Sequence, residues 1–292
     1  MLRNYMKKLL SAVFILAVIC SCGRNVDGKQ NIIKVKSFNI KVMSFNIRYD
    51  NPNDGDNIWD NRKSATKSMI YDLRPDVFGV QEALVHQIRY IEENCPEYAS
   101  VGVGRDDGKE AGEFMSIFYD KKKVKLHDWG TIWLSETPDK PGLGWDAWCP
   151  RTATWAIMEL IATGQKFYYV NTHLDHGGVN ARKQSLDLII SLIKEKNTED
   201  SPVILTGDFN ITPDNSFTLE HLNLYMYNAA ATAHNADTLP TFNGFGKSEG
   251  VCIDYIWWKN FKFCEEYSVI SKEYDGIKYV SDHWPIIAVL EF

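Results

Sequence analysis

The sequence has no excess of positive charge. It contains 32 lysine and arginine residues against 38 aspartate and glutamate residues, which gives a formal net charge of −6. A protein that holds nucleic acid through a broad basic face needs the opposite balance, so the composition argues against that mode of binding. Contact with nucleic acid through a bound divalent cation stays open, because such an ion supplies positive charge locally.

The sequence also lacks an apolar run long enough to be a comfortable membrane span. The run at residues 9–19 is too short for one, and it follows the basic residues Arg3, Lys7 and Lys8. A basic segment followed by a short apolar segment is typical of a secretory signal. We therefore predict that the protein is exported.

The end of this segment resembles a bacterial lipobox. Its residues are Ile19-Cys20-Ser21-Cys22, with small Ser21 before the cysteine that would be cleaved and lipidated. We predict a lipoprotein signal peptide over residues 1–21, lipidation of Cys22 and a tether over residues 22–40. The protein would contact the membrane through this lipid anchor only, in the periplasm or at the cell surface. The alternative is an ordinary secretory peptide with incidental cysteines.

Two further absences concern cysteine spacing and linkers. None of the remaining cysteines, at positions 95, 149, 252 and 264, lies in a Cys-x-x-Cys pair, so a structural zinc site is not expected. An exported compartment permits disulfides, but spacing does not give their pairing, and we expect buried free thiols. No Gly/Ser-rich or Pro-rich linker interrupts residues 41–292, and 45% of the chain is apolar. We predict one domain with a sizeable core over residues 41–292.

A tandem copy precedes this domain. Residues 34–40 read Lys-Val-Lys-Ser-Phe-Asn-Ile, and residues 41–47 repeat them with one change. Because side chains alternate along a strand, a shift of seven residues places the two asparagines on opposite faces. We expect Asn46 to reach a site and Asn39 to belong to a tether or an edge extension.

Helical and strand patterns alternate along the domain. Leu186, Ile189, Ile190 and Ile193 recur at helical spacing within residues 180–196. Residues 61–74 form a second helical pattern, and short strand patterns lie on both sides of the helices. This order favours two sheets packed face to face with helices outside, although the pattern alone leaves several α+β arrangements open.

Polar residues follow the apolar runs at five places. Gly207-Asp208-Phe209-Asn210 ends the run at residues 202–206, and its carboxylate and carboxamide lie two residues apart. A carboxylate there can bind a metal or take a proton from water, and a carboxamide can donate to an anionic oxygen. The other four clusters are Ser44-Phe45-Asn46, Gln81-Glu82, Asn171-Thr172-His173 and Ser281-Asp282-His283.

Taken in this order, the five clusters resemble the endonuclease/exonuclease/phosphatase superfamily, the pancreatic-deoxyribonuclease-like phosphoesterases. The resemblance covers about residues 41–292, and the strings Ser44-Phe45-Asn46-Ile47-Arg48-Tyr49 and Asn171-Thr172-His173-Leu174-Asp175 are similar to an exported bacterial branch. It implies an α+β fold, a four-layer α/β/β/α sandwich of two mainly antiparallel sheets flanked by helices.

The resemblance also implies a metal site that holds Mg²⁺ or Mn²⁺. Oxygen ligands suit Mg²⁺, which uses one or two protein carboxylates together with waters and substrate oxygens. Glu82 is the expected primary ligand, with no cationic partner nearby in the sequence, and Asn46 and Asp282 are expected to support it.

The catalytic residues implied by the resemblance lie at the other clusters. Asp208 is expected to act as the general base and Asn210 to position the attacking water or a phosphate oxygen. His283 is expected to bind a phosphoryl oxygen, with Asp254 holding its other ring nitrogen. His173 is expected to pair with Glu113, which would keep its ring cationic enough to stabilise or protonate the leaving oxygen.

Residues 136–151 form a long segment without periodicity. It contains Trp145 and Trp148 and ends at Arg151. Loops of this length are often functional. We expect Arg151, Trp145 and Trp148 to contact substrate, the indoles by stacking on a base or sugar or by dipping into a lipid interface. The alternative is that both indoles pack the loop onto the domain.

These observations predict an exported, monomeric phosphoester hydrolase that depends on Mg²⁺ or Mn²⁺. A phosphodiesterase, either nuclease-like or cleaving phospholipid or sphingolipid head groups, is the expected class, and the substrate stays open. Two alternatives are a non-catalytic surface binding module on the same fold and a carbohydrate-active hydrolase, because paired carboxylates and exposed tryptophans also suit sugars.

Overall fold

The computed structural model describes residues 38–292. The predicted signal peptide, Cys22 and all but the end of the predicted tether lie outside these residues. The strands are β1 (Asn39–Asn46), β2 (Val77–Gln81), β3 (Tyr98–Val101), β4 (Ile117–Asp120), β5 (Val124–Trp133), β6 (Thr152–Leu160), β7 (Gln165–His173), β8 (Val203–Asp208), β9 (Tyr227–Asn228), β10 (Asn235–Ala236), β11 (Asp254–Lys259), β12 (Phe263–Val269) and β13 (Ile286–Glu291).

Five α-helices accompany the strands in the described part of the chain. They are α1 (Trp59–Leu73), α2 (Val85–Asn94), α3 (Val179–Lys196), α4 (Ser216–Tyr225) and α5 (Ala229–Thr232). None of them has both the length and the apolar character that crossing a membrane requires. The helices predicted over residues 61–74 and 180–196 correspond to α1 and α3, with ends that differ by one or two residues.

The strands form two sheets, in the orders β10-β12-β13-β1-β2-β4-β3 and β5-β6-β7-β8-β11-β9. Most neighbouring strands are antiparallel, and the parallel pairs among the described strands are β1 with β2, β7 with β8 and β10 with β12. The predicted four-layer sandwich is confirmed, because one apolar cluster lies between the sheets and two others lie under the outer helices.

β1 is a central strand of its sheet, between β13 and β2. It begins at Asn39, which lies opposite Glu291 of β13. Asn39 is therefore the first residue of a central strand, whereas a tether or an edge extension was expected for it from the sequence. The side chain of Asn39 donates to Glu265 (2.7 Å), whereas Asn46 is buried at the other end of the strand. Asn46 and Asn39 therefore lie at opposite ends of this strand, and only Asn46 is buried.

The two sheets approach closely at Gly79 of β2. A Cβ atom at this position would overlap the amide of Asn171, which lies on β7 in the other sheet, and the hydroxyl of Thr206. The amide of Asn171 donates to the carbonyls of Val80 (2.8 Å) and Ser116 (3.1 Å) and accepts from Gln81 (2.7 Å). Asn171 is therefore a buried link between the sheets, beside the ends of β1 and β2.

The four cysteines of the described residues are free thiols. Cys95 and Cys264 are buried, as expected, whereas Cys149 and Cys252 are partly exposed.

Candidate active site

The polar clusters predicted from the sequence meet at one end of the sandwich. β1 and β2 are parallel, so Asn46 and Gln81 end side by side with Glu82 following, and the parallel strands β7 and β8 bring His173 next to Asp208. β11 runs antiparallel to β8, and its first residue, Asp254, lies opposite Asp208. Each sheet thus contributes its strand ends to the same site.

Asn46 connects the two sheets at this site. Its amide nitrogen donates to Glu82 Oε1 (3.0 Å) and to Asp208 Oδ2 (3.0 Å), and it is almost fully buried. Its amide oxygen accepts from the backbone N–H of Arg48 (3.0 Å), which only an oxygen can do. In this structure the Asn46 oxygen accepts from the backbone and its nitrogen faces the carboxylates, so the role of Asn46 as a metal ligand stays a prediction.

The structure also places a cation beside Glu82, contrary to the expectation from sequence. Nη1 of Arg48 lies 3.7 Å from Glu82, and Nε lies 3.6 Å from Asp282. The Arg48 guanidinium is held by two hydrogen bonds to Asp54, of 2.9 and 3.0 Å. Arg48 lies two residues beyond the end of β1 and has a left-handed backbone, so strand alternation does not give the direction of its side chain.

The carboxylates at this end of the cleft fit a divalent cation. Glu82 and Asp208 present oxygens within 4.8 Å of each other, as do Asp208 and Asp254. Burial, followed by repulsion from neighbouring carboxylates, raises the pKa values of Asp208 and Asp282 above their usual range. A hard cation bound by oxygens would relieve this repulsion, and Glu82 and Asp282 are the partly accessible carboxylates that could hold it.

Asp254 and His283 form the expected pair. Nδ1 of His283 donates to Asp254 Oδ2 (2.8 Å), which also accepts from the hydroxyl of Thr241 (2.6 Å). Burial alone would lower the pKa of His283, but the charges of Asp254 and Asp208 outweigh it and raise this pKa to about 10. His283 is therefore cationic near neutral pH, and its Nε2 lies 3.7 Å from Asp208 Oδ2.

Asn210 links Asp208 to His173. Its backbone N–H donates to Asp208 Oδ1 (2.9 Å). Its amide nitrogen donates to Leu174 O (3.1 Å) and to Nε2 of His173 (3.1 Å), which occupies both amide hydrogens. The remaining amide oxygen can accept from a water molecule, so the geometry favours water over a phosphate oxygen as the partner of Asn210.

His173 differs from the cationic residue expected from the sequence. Because Nε2 accepts from Asn210, the ring proton lies on Nδ1, which is buried without a hydrogen-bond partner and is 3.9 Å from Glu113 Oε2. Burial, followed by the charges of Arg151 and Arg105, lowers the pKa of His173 well below its ordinary value. The ring is therefore neutral, and its N–H lies on the buried Nδ1, beside Glu113.

Glu113 lies at the position expected from the sequence, but its carboxylate is paired with Arg105. Nη1 of Arg105 donates to Glu113 Oε2 (2.7 Å), and its Nε is buried without a hydrogen-bond partner. Arg105 lies in the loop between β3 and β4, and no sequence signal identified it.

The segment at residues 136–151 is a loop without helix or strand, as expected. Arg151 at its end is buried, with Nε 3.4 Å from Asp175 Oδ2 and Nη2 donating to Nδ1 of His176 (2.9 Å). Trp148 is 71% exposed, whereas Trp145 is half-buried and its backbone N–H donates to Glu136. Trp148 packs on Gly177 and beside His176 although most of its ring is exposed, so its contact with substrate stays a prediction.

Together these residues surround a cleft of about 710 Å³. It brings together eight predicted site residues and eight further ones, and Asn46 and Asp254 lie directly behind it through their hydrogen bonds. Trp145 and Trp148 do not line it. The lining residues are Arg48, Tyr49, Glu82, Arg105, Glu113, Cys149, Arg151, His173, His176, Asp208, Asn210, Phe242, Val251, Ile253, Asp282 and His283.

Three of the site residues have a left-handed backbone. Arg48, Glu82 and Asn210 have φ angles of 58°, 62° and 50°, and each directly follows a strand or lies two residues beyond its end. This conformation is uncommon for residues other than glycine and concentrates at functional sites. It turns the chain sharply, so that the side chains of Glu82 and Asn210 face the cleft.

Comparisons with known proteins agree with this fold and site. A sequence model of the Endonuclease/Exonuclease/phosphatase family matches residues 43–283. The structure of an endonuclease/exonuclease/phosphatase from Bacteroides vulgatus is 40% identical, with a TM-score of 0.83 over 87% of this chain and 99% of that chain. A mannosyl-6-phosphatase of Bacteroides thetaiotaomicron is 32% identical, with a TM-score of 0.82 over 87% of this chain and all 100% of that one. A relative from Acanthamoeba polyphaga mimivirus is 27% identical over 80% of this chain and 92% of its own length.

Proposed function

Because the chain belongs to the endonuclease/exonuclease/phosphatase family, we propose that it hydrolyses a phosphoester with the help of a bound Mg²⁺ or Mn²⁺. The observation that carries this proposal is the bridge made by Asn46 between Glu82 and Asp208. It joins the carboxylate suited to a metal ligand with the carboxylate suited to activate water. Both are needed because the anionic oxygens of a phosphoester repel a nucleophile.

In this proposal the chain's own residues move the protons and hold the charges. Asp208 takes a proton from the attacking water, and Asn210 orients that water through its free amide oxygen. The water oxygen bonds to phosphorus as the bond between phosphorus and the leaving oxygen breaks. The cationic His283 binds a phosphoryl oxygen, and His173 stabilises the leaving oxygen with its N–H. The leaving oxygen takes up a proton from solvent, and Asp208 then releases its own. A metal ion held by Glu82 and Asp282 would neutralise charge on the phosphoryl group.

The experiment that tests this proposal measures release of the leaving alcohol or phenol by the purified protein with and without Mg²⁺ or Mn²⁺. The substrates are aryl phosphates, aryl phosphodiesters and sugar phosphates. We expect metal-dependent turnover that Glu82→Gln abolishes without loss of thermal stability. Turnover that persists in that variant with a chelator present would contradict the proposal.

We further propose that the substrate is a small phosphomonoester, a sugar phosphate in the first instance. The sequence favoured a phosphodiester, but two observations support the monoester. The cleft is walled on one side by Arg105, Arg151 and His176, and both arginines are paired with carboxylates, so this side suits the neutral ring of a small ester. A relative that matches this chain over most of its length is a mannosyl-6-phosphatase. Comparing kcat/KM for mannose 6-phosphate with kcat/KM for DNA, RNA and sphingomyelin decides between the two classes.

A non-catalytic binding module on this fold is the second candidate, and the site argues against it. A module that only binds has no need to keep the charged His283–Asp254 pair or the carboxylates that repel one another around Asp208. A carbohydrate-active hydrolase is separated by adding aryl glycosides to the substrates of this assay, because their cleavage would survive a chelator.

We also propose that the protein acts as a monomer, exported and anchored by a lipid on Cys22. This rests on the sequence of the N-terminus. Metabolic labelling with a fatty acid should mark the wild-type chain and not Cys22→Ser, and light scattering of the solubilised protein should give the mass of one chain.

A further inference from the structure

Asp175 organises the wall of the cleft that faces away from Glu82. Its two carboxylate oxygens accept five N–H groups: Trp148 (3.1 Å), Cys149 (3.4 Å) and Arg151 (3.4 Å) on Oδ2, and Gly177 (2.9 Å) and Gly178 (2.7 Å) on Oδ1. Cys149, Asp175 and His176 lie close enough to suggest a metal site. Asp175 has no lone pair left for a metal, because these donors occupy both oxygens.

The charges on this wall are balanced. Arg151 is compensated by Asp175, and Arg105 by Glu113 at 2.7 Å. Burial opposes ionisation of Asp175, but the N–H groups of Gly178 and Gly177 and the charge of Arg151 lower its pKa to about 2. Paired charges of this kind offer many hydrogen-bonding groups without a net charge. They suit a neutral ligand with several hydroxyl groups better than a second phosphate.

Trp148 adds an apolar surface at the rim of this wall. Its indole is 71% exposed, yet it packs on Gly177, where a Cβ atom would overlap the ring. The ring of His176 lies edge-on to it, with 5.1 Å between the centroids. Arg151 also donates a hydrogen bond to His176 (2.9 Å). The Trp148 indole, the His176 imidazole and the Arg151 guanidinium are therefore in contact, one after the other. An exposed indole held rigid in this way can stack on the C–H face of a sugar ring.

We propose that Arg151, His176 and Trp148 form the subsite for the leaving group, and that this group is a neutral, polyhydroxylated ring. This inference rests on the proposed phosphoesterase function. It assigns the two ends of the cleft to two parts of one substrate, with the phosphoryl group beside Glu82 and His283 and the sugar ring beside Arg151. His173, whose Nδ1 faces Glu113, lies between them, where the bond to the leaving oxygen would break.

The kinetic test compares mannose 6-phosphate with methyl phosphate, which has no ring. The variants are Trp148→Ala and His176→Ala, and both side chains are exposed, so folding is preserved. We expect each variant to raise KM for mannose 6-phosphate about tenfold, with kcat within a factor of two and methyl phosphate unaffected. The matched control is Trp129→Ala, a 40% exposed tryptophan on β5 that does not line the cleft, and it should leave both substrates unchanged.

A binding test separates this inference from the proposed function. The protein is labelled with 5-fluorotryptophan, the Trp148 resonance is assigned with Trp148→Phe, and fluorine spectra are recorded with a chelator present so that no turnover is needed. We expect mannose 6-phosphate to shift the Trp148 resonance and methyl phosphate to leave it in place. Equal loss of activity on both substrates, or an unshifted Trp148 resonance, would overturn the subsite. So would a larger shift with a nucleoside monophosphate than with the sugar phosphate.

Discussion

The two walls of the cleft are built from different kinds of structure. The wall with Glu82, Asp208, Asp254 and His283 is made of strand ends and the segment just before β13, joined by hydrogen bonds between side chains. The wall with Arg105, Arg151 and Trp148 is made of loops, and backbone N–H groups gathered on Asp175 hold much of it in place. Strand ends fix the chemistry, whereas loops can change length and sequence without disturbing the sheets. Under the proposed function, reaction type therefore depends on the strand-end wall and substrate preference on the loop-built wall.

Metal removal should have the largest effect, and it should act on the strand-end wall alone. We expect a chelator to abolish phosphate release and Mg²⁺ or Mn²⁺ to restore it. Because an ion that binds only the folded state stabilises it, the metal should also raise the melting temperature. Glu82→Gln should remove that rise while keeping the metal-free melting temperature. If the metal raised the melting temperature of Glu82→Gln by the same amount, the ion would bind at a site without Glu82.

Removing the base or the cationic histidine should have the next largest effect. Asp208→Asn and His283→Ala should each lower kcat by about 10²–10⁴, the range for a positioned proton-transfer or electrostatic group. Steady-state kinetics at saturating metal measure this. KM for mannose 6-phosphate should change little in Asp208→Asn, since Asp208 lies outside the loop-built wall. His283→Ala should also raise KM, because His283 binds a phosphoryl oxygen. A variant in which KM changes and kcat does not would contradict the assignment of the chemical step to the strand-end wall.

His173 lies between the walls, and its contribution should depend on the leaving group. His173→Ala should lower kcat/KM by about 10² for an alkyl phosphate, whose leaving oxygen needs a hydrogen-bond donor. The deficit should shrink for p-nitrophenyl phosphate, whose leaving group is already acidic. The slope of log kcat/KM against leaving-group pKa, measured for both proteins, checks this, and parallel slopes would refute the role.

Asp175 should give the smallest of these effects, and it should appear in stability rather than in chemistry. Its folded pKa of about 2 lies below the ordinary aspartate value of about 3.9, so its ionised form stabilises the fold by about 2 kcal/mol above pH 4. That contribution is lost as the pH falls from about 4 through 2. Urea unfolding of wild type and Asp175→Asn should therefore differ at pH 7 and converge near pH 2. A constant difference across this range would contradict the assignment.

The contrast between the walls also explains which parts could be predicted from the sequence. Asn46, Glu82, His173 and Asp208 follow apolar strand patterns, and alternation along a strand gives their direction. Asp254 became interpretable only through the family resemblance, since its position opposite Asp208 depends on strand register. The four-layer sandwich likewise needed that resemblance.

The parts that sequence reasoning missed depend on how loops and turns fold, which strand patterns do not give. Arg105 reaches Glu113 from a loop, and Asp175 gathers donors from residues up to 27 positions away. The direction of the Asn46 amide is set by the N–H of Arg48, which follows a left-handed turn. The helix α4 and the short elements β9, α5 and β10 were not predicted, and their shortness leaves little periodicity to detect.

The close approach at Gly79 bears on how far this enzyme can be altered. The bridge from Asn46 to Asp208 spans the two sheets, and the spacing of the sheets near it depends on the missing side chain at Gly79. A methyl group at residue 79, two residues before the end of β2, would push the two sheets apart without touching a ligand. The alignment of the catalytic residues thus depends on the distance between the two sheets. The loop-built wall can be redesigned as long as residue 79 remains glycine.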